Sequence, residues 1–171
     1  GFLTGYYYKP RMDYDLIRQH SEGLICLSAC LSGDLPKLLL QERHDDAVNY
    51  VHEMQDIFGK DNFFIEIMDH GIREEKIVLP RLVALARELN VPLVATNDCH
   101  YLEEKDADAQ EVLMCIQTGK TLEDDARMRM ETRQLYVKSE TEMRTLFAPC
   151  PTRWIILLKL RSAVRWSSSS A

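Results

Sequence analysis

The stretch TNDCHY at residues 96–101 contains the side chains with the clearest potential for chemistry. An apolar run through Val94 and Ala95 predicts a buried strand, and Asp98 and His100 follow at its carboxyl end. In an extended chain, residues two apart point to the same side. A carboxylate and an imidazole so arranged can share a divalent metal ion, and the alternative is a hydrogen-bonded loop without metal.

Two other predicted strand ends carry residues of the same kinds. Cys30 ends the run GLICLSAC, where a thiolate would suit zinc and a buried, inert cysteine is the simpler alternative. Glu66, Asp69 and His70 lie in EIMDHG, within or just past a second apolar run. There, a turn rich in hydrogen-bonded polar groups is the simpler interpretation.

Two further motifs have ordinary structural explanations. CIQTGKT at residues 115–121 is similar to a phosphate-binding loop, but that pattern requires glycine where Met114 stands. A helical pattern precedes it, so a helix ending at Gly119 is favoured. Tyr6, Tyr7 and Tyr8 could stack on nucleic acid, and packing within a loop is the alternative.

Alternating strand and helix patterns must position these residues. Apolar runs predict strands over residues 23–30, 62–68 and 91–98, and helical periodicity predicts helices over 45–59, 73–90 and 104–119. The predicted buried face of the first helix is Ala47, Val51, Met54 and Ile57 or Phe58, and that of the second is Ile77, Leu82, Leu85 and Leu89. Pro80 either kinks the second helix or marks a later start for it. Ser139 and Glu142 predict a capping box. This order predicts a parallel α/β architecture, open or barrel-shaped, with functional residues at the carboxyl ends of the strands.

Composition excludes some classes of protein. The chain of 171 residues is 46% hydrophobic and 28% charged, which is typical of one globular domain or a fragment of a larger one. Four of its 21 basic residues lie in residues 151–171, which contain no acidic residue, so the remainder has 17 basic against 27 acidic residues. Such an acidic body is poorly suited to general nucleic-acid binding. Five cysteines without a disulfide-like framework or signal peptide indicate a reducing, cytoplasmic setting.

Five blocks of sequence, in order, carry a family resemblance: YYYKPRMD, SEGLICLSACLSGDLP, FFIEIMDHGI, PLVATNDCHYL and IQTGKTLEDDARMRMET. They resemble the later part of the PHP (polymerase and histidinol phosphatase) domain of bacterial DNA polymerase III alpha subunits, over residues 1–148. The resemblance implies part of a distorted seven-stranded (βα) barrel. It also implies a cluster of divalent metals, zinc or manganese, with Cys30, Asp98 and His100 as ligands. The family's opening H-x-H motif and its polymerase aspartates, which use magnesium, match no part of this chain.

The implied function is therefore that of a fragment. The parent would be a DNA-directed DNA polymerase that acts on DNA with a proofreading subunit and a sliding clamp, and its PHP domain a metal-dependent phosphoesterase, possibly a 3′–5′ nuclease. The fragment alone is expected to be inactive. A non-catalytic scaffold or docking module, and the error-prone alpha paralogue, are the alternatives. A free-standing PHP phosphatase fits poorly, because YYYKPR and IQTGKTL resemble the polymerase branch.

The tail at residues 149–171 differs from the body. It holds both tryptophans, Trp154 and Trp166, and its apolar run is too short and too interrupted by Lys159 and Arg161 for a membrane helix. A basic amphipathic anchor is a second, weaker alternative. Back-translation of residues 153–156 in a register shifted by one base can give Ala-Leu-Asp-Asn, the start of an acidic stretch that resembles the alpha family's continuation. We therefore expect a frameshifted, poorly ordered tail.

Overall fold

The computed structural model describes residue 3 and residues 5–150. Two short strands, β1 (Tyr6–Tyr7) and β2 (Lys9–Pro10), form an antiparallel pair near the start. Three parallel strands follow in the sheet order β3-β4-β5, namely β3 (Cys26–Leu27), β4 (Phe63–Ile67) and β5 (Leu93–Ala95). The parallel α/β architecture predicted from the sequence is confirmed, as a mixed α/β fold with a small parallel sheet.

Six α-helices belong to the described part of the chain. They are α1 (Tyr14–Gln19), α2 (Asp34–Leu40), α3 (His44–Phe58), α4 (Arg73–Glu88), α5 (Ala107–Thr118) and α6 (Glu140–Leu146). A 3-10 turn at Glu104–Asp106 leads into α5. Within these residues, no helix is long and apolar enough to cross a membrane.

The central strand β4 forms the middle of the core. All five of its residues are buried, as is typical of a strand in a parallel sheet, and Glu66 is the one polar residue among them. Residue pairs Cys26 with Phe63 and Ile65 with Leu93 set the register on its two sides. Helices α3 and α4 pack against β4, and α2 packs against both of these helices.

The helical faces follow the predicted periodicity with one correction. Helix α3 buries Ala47, Val51, Met54 and Ile57, as expected. In α4, Leu82 and Leu85 are buried as predicted, but Ile77 is 40% exposed and Val78 occupies the buried face instead. Val78 stands four and seven residues before Leu82 and Leu85, so it lies on their face, whereas Ile77 lies about 100° away from Val78. Helix α4 continues through Pro80 rather than beginning there.

The predicted strand at residues 23–30 is too long. Strand β3 ends at Leu27, so Cys30 lies in a turn before α2 rather than at the strand end. Gly33 closes this turn, since a Cβ there would lie 2.7 Å from the backbone oxygen of Ser28 and 3.1 Å from that of Cys30. The missing side chain of Gly33 is therefore what allows the chain to fold back so tightly beside Cys30.

The capping box before α6 is confirmed. The Ser139 hydroxyl accepts a hydrogen bond from the Glu142 N–H, and the Glu142 carboxylate accepts one from the Ser139 N–H. Hydrogen bonds from the Ser139 hydroxyl and then the Tyr136 hydroxyl lower the pKa of Glu142 to about 2. Of the tail at residues 149–171, the described residues include Pro149 and Cys150, and Cys150 packs against the core. The proposed frameshift concerns residues that otherwise lie outside the described range.

Candidate functional site

Asp98 and His100 lie in the loop that follows β5. The distance between His100 Nε2 and Asp98 Oδ1 is 3.5 Å, and the two side chains are 36% and 39% exposed, respectively. Asp98 has a φ of +36°, so the chain turns here instead of remaining extended. The two groups are neighbours, as the spacing predicted, but a turn brings them together and not the alternation of an extended strand.

This pair fits a shared metal ion. Zinc binds imidazole nitrogen and carboxylate oxygen at roughly 2.0–2.2 Å, with ligands at tetrahedral angles, which places two ligand atoms roughly 3.3–3.6 Å apart. The 3.5 Å separation of Asp98 Oδ1 and His100 Nε2 lies in that range. Both side chains are partly accessible, so an ion could reach them from solvent.

Cys30 has different surroundings. It is partly buried and lines a cavity of about 10 Å³ together with Glu66, Glu75 and apolar side chains of α2 and α4. Across residues 5–150, no group of three or more His, Cys, Asp or Glu side chains is arranged to hold a metal ion. The structure thus brings Asp98 and His100 together without Cys30, and the role of all three as metal ligands stays a prediction.

His70 forms a buried ion pair with Glu75, a residue that the sequence did not single out. His70 Nδ1 lies 2.6 Å from Glu75 Oε1, the His70 N–H donates to Glu75 Oε2 at 2.6 Å, and Nε2 lies 3.0 Å from the Asn97 carbonyl. The two side chains are 2% and 5% exposed. The interpretation of EIMDHG as a turn rich in hydrogen-bonded polar groups therefore describes His70, whose partners Glu75 and Asn97 lie outside that stretch.

The pKa values of this pair move in opposite directions. Burial disfavours the charged form of His70, but hydrogen bonding to Glu75, the Glu75 charge and the Asn97 carbonyl outweigh it and raise the pKa of His70 above 6.5. Burial likewise opposes ionisation of Glu75, yet its hydrogen bonds to the His70 ring and N–H and the His70 charge lower its pKa below 4.5. The pair is consequently stabilised in its ionised form.

Glu66 is held within the sheet. Its carboxylate accepts a hydrogen bond from the Thr96 hydroxyl at 2.5 Å, and its N–H donates to the Ser28 hydroxyl at 2.8 Å. The side chain is buried, facing the same small cavity as Cys30. Glu66 thus links all three parallel strands at the edge where the candidate ligands lie.

Two other motifs resolve as follows. Helix α5 ends at Gly119, which has a φ of +64° and donates its N–H to the Ile116 carbonyl, so the helix-end interpretation of CIQTGKT is confirmed. Tyr6, Tyr7 and Tyr8 are exposed around β1, and the Arg11 guanidinium lies 5.3 Å from the Tyr7 ring centroid. A nucleic-acid role for these tyrosines stays an open alternative to loop packing.

Comparison with known proteins places the chain in a class. A family profile described as "PHP domain" matches residues 1–70. The chain therefore contains a PHP-domain segment.

The relatives identify the branch. The chain is 48% identical to "DNA polymerase III subunit alpha" of Treponema pallidum over 164 residues, which is 96% of this chain and 14% of that protein. It is 47% identical to the protein of the same name in Borreliella burgdorferi over 88% of this chain, and 46% identical to that of Thermus aquaticus over 85%. The chain belongs to the DNA polymerase III alpha family. It spans 14%, 13% and 12% of the length of these three relatives.

Proposed function

We propose that this chain is the PHP-domain segment, residues 1–148, of a replicative DNA polymerase III alpha subunit. The observation that carries the proposal is identity of 46–48% to proteins of that name over 84–96% of the chain. The three parallel strands and their helices would form part of a distorted seven-stranded (βα) barrel. The parent would be a DNA-directed DNA polymerase, with the error-prone paralogue as the variant to distinguish.

In the complete domain, Asp98 and His100 would bind a divalent metal ion, zinc or manganese, and Cys30 would contribute from the neighbouring turn. The 3.5 Å separation of the Asp98 and His100 ligand atoms supports the first two assignments. A metal held there would supply an activated water for phosphodiester hydrolysis, of the 3′–5′ proofreading type. The remaining ligands would come from parts of the parent that this chain does not match.

The partners of the parent follow from the same proposal. DNA, a proofreading subunit and a sliding clamp would contact the complete polymerase, whose own nucleotidyl transfer would use magnesium. All five cysteines, which lie within the described residues, are free thiols, and this supports the reducing environment of the cytoplasm.

A scaffold or docking role without metal chemistry is the second candidate. One observation favours it: the ring of His70, which lies near the same sheet edge, is occupied by Glu75 and the Asn97 carbonyl. Both ring nitrogens of His70 are therefore used in polar contacts within this segment and not for a metal ion.

Metal analysis of a full-length alpha subunit that carries this segment distinguishes the two functions. We expect zinc or manganese in the wild type and lower metal content in Asp98→Ala and His100→Ala, because each variant removes one ligand. The exposed residues Asp61 and His52 provide matched controls, and Asp61→Ala and His52→Ala should retain the metal. A wild type without metal would overturn the phosphoesterase proposal and leave the scaffold.

We further propose that residues 149–171 are a frameshifted tail, although the alignment with the Treponema pallidum protein covers 96% of the chain and so extends past residue 148. Resequencing the genomic DNA across the codons for residues 147–171, and beyond them, tests this. An additional base near Pro149 should restore an acidic reading frame that continues into the polymerase. An unchanged base count with this frame intact would contradict the frameshift.

A further inference from the structure

Asn97 lies at the junction between β5 and the loop that carries Asp98 and His100. It is 6% exposed, and its side-chain amide donates to the Gln134 carbonyl at 2.9 Å and the Tyr136 carbonyl at 2.6 Å. Its own carbonyl lies 3.0 Å from His70 Nε2. A buried side chain with this many partners has one orientation, because turning it would leave buried polar groups unpaired.

Lys138 completes the hydrogen bonding of Asn97. Its ammonium donates to Asn97 Oδ1 at 3.2 Å and to the Gln134 carbonyl at 2.5 Å. It also lies 4.2 Å from the centroid of the Tyr136 ring, within range of a cation–π interaction. The Lys138 side chain therefore connects Asn97 to residues 134–138 at the point where the candidate ligand loop begins.

The far end of the loop is attached to the same segment. The His100 N–H donates to the Leu135 carbonyl at 2.8 Å, and Tyr101 forms a parallel bridge with Tyr136. Between these attachments, Asp98 adopts a φ of +36°, a conformation that is unfavourable for a residue other than glycine. Such a conformation persists only where the surroundings fix the chain on both sides.

We propose that Lys138 is a positioning residue that acts through Asn97 to hold Asp98 and His100 in the arrangement of a shared metal site. The inference rests on the proposed metal-binding function. Lysine suits this role because its ammonium has three N–H donors, and here they reach a side-chain oxygen and a backbone carbonyl of different segments. Removing a group that holds metal ligands in their orientation typically lowers metal affinity by about 10–100-fold.

The test compares Lys138→Met with Lys120→Met in the full-length alpha subunit. Methionine keeps an unbranched stem and removes the ammonium, and Lys120 is an exposed lysine in the loop after α5. Two quantities are measured: the dissociation constant for zinc or manganese alone, and amide hydrogen exchange in peptides that cover residues 97–101. We expect Lys138→Met to bind metal about tenfold more weakly and to exchange faster in this loop, with Lys120→Met unchanged.

The outcomes separate the inference from the function on which it rests. Metal binding in the wild type with equal affinity in Lys138→Met would overturn the positioning role, even if exchange were faster. A wild type that binds no metal would overturn the proposed function instead. Unchanged amide exchange in Lys138→Met would overturn the positioning role of Lys138 in either case. If Lys138→Met does not fold, Lys138→Arg provides the comparison. It keeps the charge and the N–H donors and should bind the metal with nearly the wild-type affinity.

Discussion

Replacing Phe63 with alanine is expected to lower the free energy of unfolding by roughly 3–5 kcal/mol. Phe63 is fully buried at the start of β4, the strand that lies between β3 and β5. Truncation removes a large apolar surface from the core and leaves a cavity that the flanking strands and helices cannot fill completely. Urea unfolding of the 171-residue chain, followed by circular dichroism, measures the difference.

Leu102→Ala is the matched control for this experiment. Leu102 is 74% exposed, so its truncation should change stability by no more than about 0.5 kcal/mol. Because domains of this size are stabilised by only roughly 5–15 kcal/mol, Phe63→Ala should also be partly unfolded at moderate temperature. Equal urea midpoints for the two variants would contradict the central position of β4.

Replacing Glu75 with glutamine is expected to destabilise the fold by about 3 kcal/mol near pH 5.5. The change removes the charge that balances His70 and replaces one of the two carboxylate oxygens, each of which accepts from a different donor of His70, with an amide N–H₂. This value is the lower end of the loss of stability, roughly 3–5 kcal/mol, that follows when one partner of a buried ion pair is removed. We expect the lower end because His70 can release its proton once the Glu75 carboxylate is gone. Urea unfolding at several pH values measures the effect.

The pH dependence of this difference follows from the two pKa shifts. The raised pKa of His70 contributes stability that is fully present below pH 6.5 and is lost as the pH rises through the folded-state pKa. The lowered pKa of Glu75 contributes stability that is present above pH 4.5 and is lost as the pH falls through its folded-state pKa. The wild type should therefore exceed Glu75→Gln by the largest margin between pH 4.5 and 6.5.

Glu88→Gln serves as the control for the buried pair. Glu88 lies 3.2 Å from His44 in an ion pair whose side chains are about half exposed, at 53% for His44 and 49% for Glu88. Exposed ion pairs contribute less than about 1 kcal/mol, so this variant should be nearly as stable as the wild type. A Glu75→Gln effect as small as that of Glu88→Gln would show that the His70–Glu75 pair does not stabilise the fold.

The sequence predicted the long, periodic elements well because their burial follows a simple repeat. The buried face of α3 is an example, since Val51, Met54 and Ile57 recur at helical spacing, whereas β4 was recognised as a short, continuous run of mostly apolar residues. Helix α2 was missed because its seven residues are too few to show a period. In α4, both Ile77 and Val78 are apolar, but only Val78 has the helical spacing of four and seven residues to Leu82 and Leu85, and the prediction overlooked this signal.

For the candidate site, the sequence identified neighbours along the chain but not partners distant from them. Asp98 and His100 were found because they are only two positions apart, so they stay close together whatever conformation the backbone adopts. Lys138 and Asn97 stand 41 positions apart, and nothing in the local pattern of either residue indicates the other. Glu75 is an ordinary acidic residue in the first turn of a helix, a position where carboxylates are common for other reasons.

The spatial order of the strands matches their order along the chain, and this has a consequence for biosynthesis. As the polypeptide leaves the ribosome, β4 can add to the edge of β3 and β5 to the edge of β4, so no strand must insert between two others. The loop with Asp98 and His100 emerges next, yet Leu135 and Lys138, which hold it, are synthesised more than 30 residues later. A nascent chain that stalls before residue 134 would contain both candidate ligands in a loop that still lacks its hydrogen bonds to residues 134–138.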